Sequence, residues 1–468
     1  MNNIWKFKTE PTILVGILLH QTIHFELMGN FSLNSNLICT GKYKATLNKI
    51  GNIEFCKDVE NSDVACRDIA CNVSTAKQFE FIPQSPLSTF ILKNVTIGIG
   101  FHWEKQEDQE FEGGLILQVE GDKIRAINTI PLESYLKSVI SSEMSAMNDL
   151  NLLNAHAIVS RSWLLAQIQN RGKCKKTADC HTPANAPIIN NLTLNEIIKW
   201  YDREDHDTFD VCADDHCQRY QGITKVISEN AQKAIEATRG QVLMFGAEIC
   251  DARFSKCCGG ISEDFENVWQ PVKIPYLVAV RDIISIPDRV LNPVRDIDKS
   301  FFTTSPEAFC NTTDPEVLSQ VLIDFDRSTT NFYQWTVKYS QQELSELIAR
   351  KSGIDFGEII DLIPLERGKS GRIIRLKIIG TKEEIIVGKE LEIRKWLSES
   401  HLYSSAFVVE KEFVGESEIA SWFILRGAGW GHGVGMCQIG AAVMSRQKYT
   451  SNQILEHYFT GARIEKIY

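Results

Sequence analysis

The chain has 468 residues, 43% hydrophobic and 24% charged, with a formal net charge of −10. This composition is that of a soluble globular protein with room for two or three domains. The acidic balance, without a basic face or run, excludes a polyanion partner such as nucleic acid.

The longest early apolar run, Ile13 to Leu19, is too short to span a bilayer, so no transmembrane segment is expected. Glu10 and Pro11 precede it, His20 follows, and no small-x-small cleavage site is present. It reads as a strand with Ile13, Val15 and Ile17 alternating, and no signal peptide is visible. Residues 1–127 read as a β-rich domain: runs such as Phe90–Phe101 and Gly114–Glu120 are divided by Gly, Asn and Asp turns.

Residues 128–468 read as a second, mixed domain, which makes the fold class α+β. Pro131 opens a predicted helix with Leu132, Leu136, Val139 and Ile140 on one stripe and Glu133 paired to Lys137. A second helix, Leu152 to Gln169, carries Leu153, Ala157, Leu164 and Ile168 on one face. Residues 172–222 form a polar insertion bearing Cys and His. A helix over 225–238 ends at Gly240, and Val242–Phe245 is expected to pair with Ala252–Phe254 about Gly246. Residues 284–400 form an α+β module, with a helix over Gln341–Arg350 and strands over Arg372–Gly380 and Glu384–Val387. The tail reads as helices Ile439–Arg446 and Asn452–Phe459 and a strand Arg463–Tyr468. Gly368-Lys369-Ser370 is not a P-loop, because Ile363 stands where the first glycine is needed.

Thirteen cysteines are an odd and high number. Cys39, Cys56, Cys66 and Cys71 precede the polar insertion; Cys250, Cys257, Cys258, Cys310 and Cys437 are scattered after it. Within it, His206, Cys212 and Cys217 are spaced by six and five, with His216 as an alternative ligand. Thiolates with imidazole favour zinc in an architectural role. Cys174, Cys180 and His181 offer other pairings, so zinc, disulfide and free-thiol readings stay open. Cys257, Cys258 or Cys437 with His432 would suit a Cys–His nucleophile, but small buried thiols explain them better.

Arg426 to Val443 is the most unusual stretch. Its glycines at 427, 429, 431, 433 and 435 alternate with residues that include Trp430 and His432. Glycine tolerates positive φ and close approach of another backbone or a ligand. The run reads either as a surface or cleft floor with two side-chain handles, or as a tight loop before a helix. The dinucleotide pattern G-x-G-x-x-G fails in every register.

Three separated segments carry a family resemblance. The first is Ile130–Met144 (IPLESYLKSVISSEM) with Leu153–Gln167 (LNAHAIVSRSWLLAQ). The second is Phe254–Trp269 (FSKCCGGISEDFENVW). The third is Gly427–Ala442 (GAGWGHGVGMCQIGAA), continuing through Ile454–Tyr468. In this order they resemble the SpoIID/LytB family, named for stage II sporulation protein D and an amidase enhancer. Ser370–Leu397 is similar to the strand-rich segment that usually precedes the glycine-rich motif. Two features depart from the pattern: the Cys/His insertion is long, and Cys257 and Cys258 replace hydroxyl residues.

The resemblance implies a catalytic domain with a glycan-binding cleft and, for its enzymes, lytic cleavage of the N-acetylmuramic acid–N-acetylglucosamine strand of peptidoglycan. It places the single acid/base at Glu143. Apolar Val139, Ile140 and Met144 and the helix C-terminus are the local means of keeping that carboxyl protonated. Arg161 would hold a sugar acetamide, a lactyl carboxylate or the Glu143 environment, the alternative being a snorkelling arginine. Ser255, Gly259 and Gly260 would form a cleft wall, His432 and Gln438 would hydrogen-bond the glycan, and Trp430 would stack on a pyranose. Catalysis needs no cofactor. The other branch of the family implies a noncatalytic, glycan-binding enhancer of a cell-wall amidase. Either substrate is extracytoplasmic, in the cell envelope.

Overall fold

The computed structural model describes residues 9–33, 37–57, 76–99, 104–144, 149–174, 195–199, 206–214, 216–224, 228–283, 300–322 and 330–468. Cys66, Cys71, Cys180 and His181 lie outside the described residues, as does much of the insertion at 172–222. The fold is α+β, with two compact units. One comprises Met1–Met147, His206–Gln241 and Lys466–Tyr468; the other comprises Asn148–Asp205 and Val242–Glu465. These units are discontinuous in sequence.

The first unit is built on one sheet of ten described strands. Its main path runs Val211–Cys212, Thr12–His20, Lys123–Pro131, Gly114–Glu120, Gln78–Pro83, Thr22–Leu33, Leu37–Leu47 and Ile53–Lys57. Thr89–Ile97 also pairs with Thr22–Leu33 and with Lys105–Glu112. Side chains alternate faces along a strand, so a period-two apolar pattern turns one row inward. Phe79 and Phe81, then Phe90 and Leu92, are buried in this way. Phe25, Tyr43, Phe55, Phe79 and Phe81 pack as one aromatic cluster with centroids 5.1–5.8 Å apart.

The strand Lys123–Pro131 runs directly into the helix Leu132–Glu143. Pro131 caps it without a side-chain hydrogen bond. The first amides instead reach back to the chain start: Leu132 N donates to Pro11 O (3.0 Å) and Glu133 N to Glu10 Oε1 (2.8 Å). This meets the usual demand for acceptors at a helix N-terminus. The stripe read from sequence is buried, with Leu132, Leu136, Val139 and Ile140 all at 0% exposure. Glu133, expected to pair with Lys137 on the surface, is buried and accepts from Gly240 N (3.2 Å) and the Tyr468 hydroxyl.

In the second unit, the long helix Leu150–Cys174 exceeds its sequence-read range at both ends. The turn at Gly246 is present, but Gln241–Phe245 pairs with Glu248–Ile249. Phe254–Ser255 pairs in parallel with Met436–Cys437 instead. A hairpin needs its second strand directly after the turn, and the longer alternation suggested by Ala252–Phe254 belongs to a distant partner. A four-stranded sheet (Glu196–Ile198, Glu384–Gly388, Ile373–Gly380, Ile359–Arg367) and a three-stranded one (Gln334–Ser340, Trp422–Ala428, Phe407–Glu412) enclose an apolar core including Phe356, Leu376, Trp396 and Phe423. The helix Gln341–Ser352 begins with a Ser340/Glu343 capping box and ends at left-handed Gly353. Among the described residues no helix is long and apolar enough to cross a membrane.

Phe81 is fully buried at the centre of the aromatic cluster, whereas Leu87 is 90% exposed. Phe81→Ala is expected to cost about 3–5 kcal/mol through lost burial and an unfilled cavity. Leu87→Ala should stay within about 0.5 kcal/mol of wild type. Urea unfolding followed by circular dichroism reads both.

Candidate functional site

Glu143 is the last residue of the helix Leu132–Glu143, half-buried between fully buried Ile140 and Met144. The backbone amide of Arg219 donates to its Oε1 at 2.9 Å. That amide belongs to a short segment laced along the helix flank. Gln221 N donates to Ser138 Oγ (3.1 Å), and the Tyr135 hydroxyl donates to Gln218 Oε1 (3.4 Å). Tyr220 stacks on Tyr135 at 5.0 Å and donates through its hydroxyl to Asn128 Oδ1 (2.6 Å). Asn128 in turn donates to Glu112 O and Gly114 O. The carboxyl is thus oriented by a buried polar network.

The same segment begins at a four-donor cluster. His206, Cys212, His216 and Cys217 bring one ligand atom each within 4.8 Å of one another. Cys217 Sγ lies 3.4 Å from His206 Nε2 and 3.5 Å from His216 Nδ1, and Cys212 Sγ lies 3.8 Å from His216 Nδ1. Zinc bonds of ~2.3 Å to sulfur and ~2.05 Å to nitrogen give tetrahedral S···N edges of about 3.6 Å, so the donors fit that ion. The Cys212 thiol is drawn down to about 2, first by its hydrogen bond with Cys217, then by His206 and His216, against the opposing effect of burial. Cys212 sits on the strand paired with Val15 and Gly16, and His206 stacks on Phe209 at 4.3 Å. Sequence left His216 as an alternative; the geometry brings it in as a fourth donor. The side chains of Cys174, Cys180 and His181 fall outside the description.

The glycine run belongs to the second unit and is woven to the Cys-Cys-Gly-Gly turn. Cys257 N donates to Trp430 O (3.1 Å), Trp430 N to Cys257 O (2.8 Å), and Glu263 N to Gly433 O (2.9 Å). Gly429, Gly431, Gly433 and Gly435 all have positive φ. A Cβ on Gly433 would stand 2.3 Å from the Arg372 guanidinium carbon, and one on Gly435 2.1 Å from Arg253 O. The sequence reading of a surface cleared for a ligand therefore gives way: these glycines are required mainly by protein packed against them.

Arg372 is buried beneath the run. It donates to Gly431 O (3.0 Å), Cys258 O (3.2 Å) and Ser370 Oγ (3.0 Å). Ser370 Oγ donates to buried Glu263, so a hydroxyl bridges the two charges. Sequence reasoning passed over both, because an isolated Arg and Glu a hundred residues apart carry no pairing signal.

The other expected contacts separate by exposure. Trp430 is half-exposed and packs between Phe332 and Tyr403, both at 4.6 Å. His432 accepts from Val434 N through Nδ1 (3.1 Å), hydrogen-bonds the Phe254 backbone and meets Trp269 edge-on at 4.8 Å. Lost hydration, then Arg253, Arg372 and Arg394, hold it neutral, well below the usual histidine range. Arg161 is fully buried and donates to Ala157 O. Gly259 and Gly260 are buried, left-handed turn residues. Ser255 Oγ and Gln438 Nε2 are buried without a hydrogen-bond partner.

His156, unmarked in sequence, is fully buried on the long helix, edge-on to Phe254, with neither ring nitrogen hydrogen-bonded. Burial, then Lys256, lowers its pKa to about 3.

Residues 120–245 match the family model described as Stage II sporulation protein, which defines the chain as a SpoIID-domain protein. Residues 263–435 match a domain of unknown function (DUF8618). An uncharacterized protein of Brachyspira hyodysenteriae is 24% identical over 355 residues, 76% of this chain and 72% of its own. The amidase enhancer of Bacillus subtilis is 25% identical over 244 residues, 51% of this chain; the match spans only 33% of the enhancer. Stage II sporulation protein D of Bacillus amyloliquefaciens is 21% identical over 341 residues, 73% of this chain and 76% of its own. The segment 120–245 is thus assigned to the SpoIID family, and the relatives named stage II sporulation protein D and amidase enhancer support that assignment.

Two expectations follow. Gly433→Ala sets a Cβ against the Arg372 guanidinium at positive φ and should lower stability by about 2 kcal/mol or more. Gly431→Ala, whose nearest contact would be Ser255 Cβ at 3.5 Å, should cost only the φ penalty of about 1 kcal/mol. Thermal melts of the two variants test that order. For His156, the folded-state pKa lies below its unfolded value of 6.5, so the unfolded chain takes up a proton that the folded chain refuses between pH 6.5 and about 3. Stability therefore falls with decreasing pH across that window, by about 1.4 kcal/mol per unit. His156→Gln should flatten this part of the pH–Tm curve; parallel curves for variant and wild type would refute the assignment.

Proposed function

We propose that the protein is a peptidoglycan lytic transglycosylase with Glu143 as its single acid and base. The observation that carries this reading is the half-buried Glu143 carboxyl, ending a helix of the SpoIID-matched segment with one oxygen held by the Arg219 amide. In the first step the carboxylic acid gives its proton to the glycosidic oxygen and the C1–O bond breaks. The resulting carboxylate takes the proton from the C6 hydroxyl of the same N-acetylmuramic acid as that oxygen bonds C1. A 1,6-anhydro ring closes, no water is consumed, and Glu143 ends protonated for the next turn. One carboxyl suffices, in contrast to the paired carboxylates of most glycoside hydrolases. The helix C-terminus disfavours charge on this group, which supports its role as acid, and the Arg219 amide stabilises the carboxylate left after proton transfer.

We assign zinc to His206, Cys212, His216 and Cys217. Bound there, the ion supplies a cross-link, and the residues between Cys217 and Gln221 do the rest: Arg219 orients Glu143 through its amide, and Gln221 and Tyr220 fix the helix flank. Partial exposure supports a stacking role for the Trp430 indole on a sugar face. Burial supports positioning roles for Arg161, Ser255, Gly259, Gly260 and Gln438, and the hydrogen bond from Val434 N supports one for the partly exposed His432. A substrate of this kind lies in the cell envelope.

A relative named amidase enhancer favours a second reading, a noncatalytic glycan-binding partner of a cell-wall amidase. Peptide-free glycan strands separate the two. The enzyme should release 1,6-anhydro ends detected by mass spectrometry, and Glu143→Gln should lower the rate by roughly 10²–10⁴. Retained glycan binding and stimulation of an added amidase, without anhydro product from wild type, would replace this reading with the enhancer.

A further inference from the structure

Four separated segments of the second unit bring three thiols and a carboxylate to one buried point. Cys258 lies in the Cys-Cys-Gly-Gly turn, Asp282 and Cys310 lie on loops, and Cys437 caps the helix Gln438–Arg446. Their exposures are 2%, 1%, 1% and 0%, and their ligand atoms lie within 4.8 Å of one another. Cys258 Sγ and Cys310 Sγ are 3.6 Å apart. A disulfide bond is about 2.05 Å, whereas two thiolates on one tetrahedral zinc stand about 3.8 Å apart.

The surroundings of these atoms resemble a metal site's outer shell. Cys437 Sγ accepts from Cys258 N (3.2 Å) and Gly440 N (3.4 Å), the latter in the first turn of its helix. Asp282 accepts from Cys310 N through Oδ2 (2.8 Å) and from the Tyr458 hydroxyl through Oδ1 (2.6 Å). His457 Nε2 lies 3.9 Å from Asp282 Oδ1 and has no hydrogen-bond partner. Packing alone accounts for buried thiols, which behave as small apolar groups. It does not by itself bring a carboxyl oxygen to the same point as three sulfurs from separate segments, all within ligand distance of one another. Amide N–H donors to sulfur and hydrogen bonds to the ligating carboxylate are the contacts that orient and tune metal ligands. They leave the sulfur and oxygen atoms converging on a common centre.

We propose that Cys258, Asp282, Cys310 and Cys437 bind a zinc ion in a second, architectural site. On binding, each S–H bond breaks, its proton leaves to solvent, and a Zn–S bond forms; the carboxylate completes the tetrahedron. Zinc leaves this four-anion shell with a residual negative charge, which the helix N-terminus at Cys437 faces. The ion would tie the Cys-Cys-Gly-Gly turn to the end of the glycine run. Three of the residues are cysteines that spacing alone left scattered. The site does not depend on the catalytic reading or on the His206 cluster, and its test does not measure activity.

The test is zinc content, by elemental mass spectrometry, of full-length protein purified with zinc in the medium. The Cys212→Ser/Cys217→Ser variant removes the first cluster and should retain about one zinc per chain. X-ray absorption at the zinc edge of that variant should give three sulfur neighbours and one oxygen. Cys310→Ser in the wild-type background, with folding checked by circular dichroism, should lower the zinc content by about one per chain. A folded Cys212→Ser/Cys217→Ser variant without zinc, a shell lacking three sulfurs, or a Cys258–Cys310 disulfide in peptide mass maps would overturn the proposal.

Discussion

The hydrogen bond from the Arg219 amide to Glu143 is the contact around which the first unit is organised. A carboxyl on a helix end is ordinarily free to rotate into solvent, and such freedom defeats directed proton transfer. Here the rotation is stopped from both sides. Buried Leu136, Val139 and Ile140 fix the helix against the sheet, and residues 217–221 close over its flank through Tyr135, Ser138 and Tyr220. Each of these depends on the loop keeping one conformation. The donor cluster at its start and the Tyr220–Asn128 bond at its end supply that constraint.

The second unit meets a different constraint, that of burying charge. Carbonyl oxygens and the Ser370 hydroxyl surround Arg372, and Ser370 passes the interaction on to Glu263. Buried ions of this sort hold only when their hydrogen bonds are satisfied, and then they favour one arrangement strongly. One glycine follows from it directly. Gly433, packed flat against the guanidinium to which Gly431 gives its carbonyl, has no room for a side chain.

Periodicity made the local elements legible. Ile13 and Val15 alternate as strand residues and Leu132 to Ile140 repeat as a helix, both buried as read, while a bulge after Gly16 leaves Ile17 partly exposed. The family segments were legible too, and the Cys and His residues spaced over 206–217 do converge on one point. What sequence did not convey was long-range. Glu133 looks like a surface helix residue until Gly240 and Tyr468 arrive to use its carboxylate. Phe254–Ser255 looks like a hairpin arm because its parallel partner, Met436–Cys437, lies about 180 residues away. The alternating glycines suggested an open surface because nothing local announces the arginine beneath them.

The Glu133–Tyr468 bond also bears on the order of assembly, since its residues are 335 positions apart. Hairpins such as Gly114–Glu120 with Lys123–Pro131 close short loops and form early. The helix that ends in Glu143 can dock on that sheet early, but its N-terminal turn waits for residues 239–241 and then for the last strand to return. Closing so distant a contact is slow on topological grounds. Competence of the candidate acid is therefore a late event in folding, and an incompletely assembled chain carries its glutamate on an unfinished support.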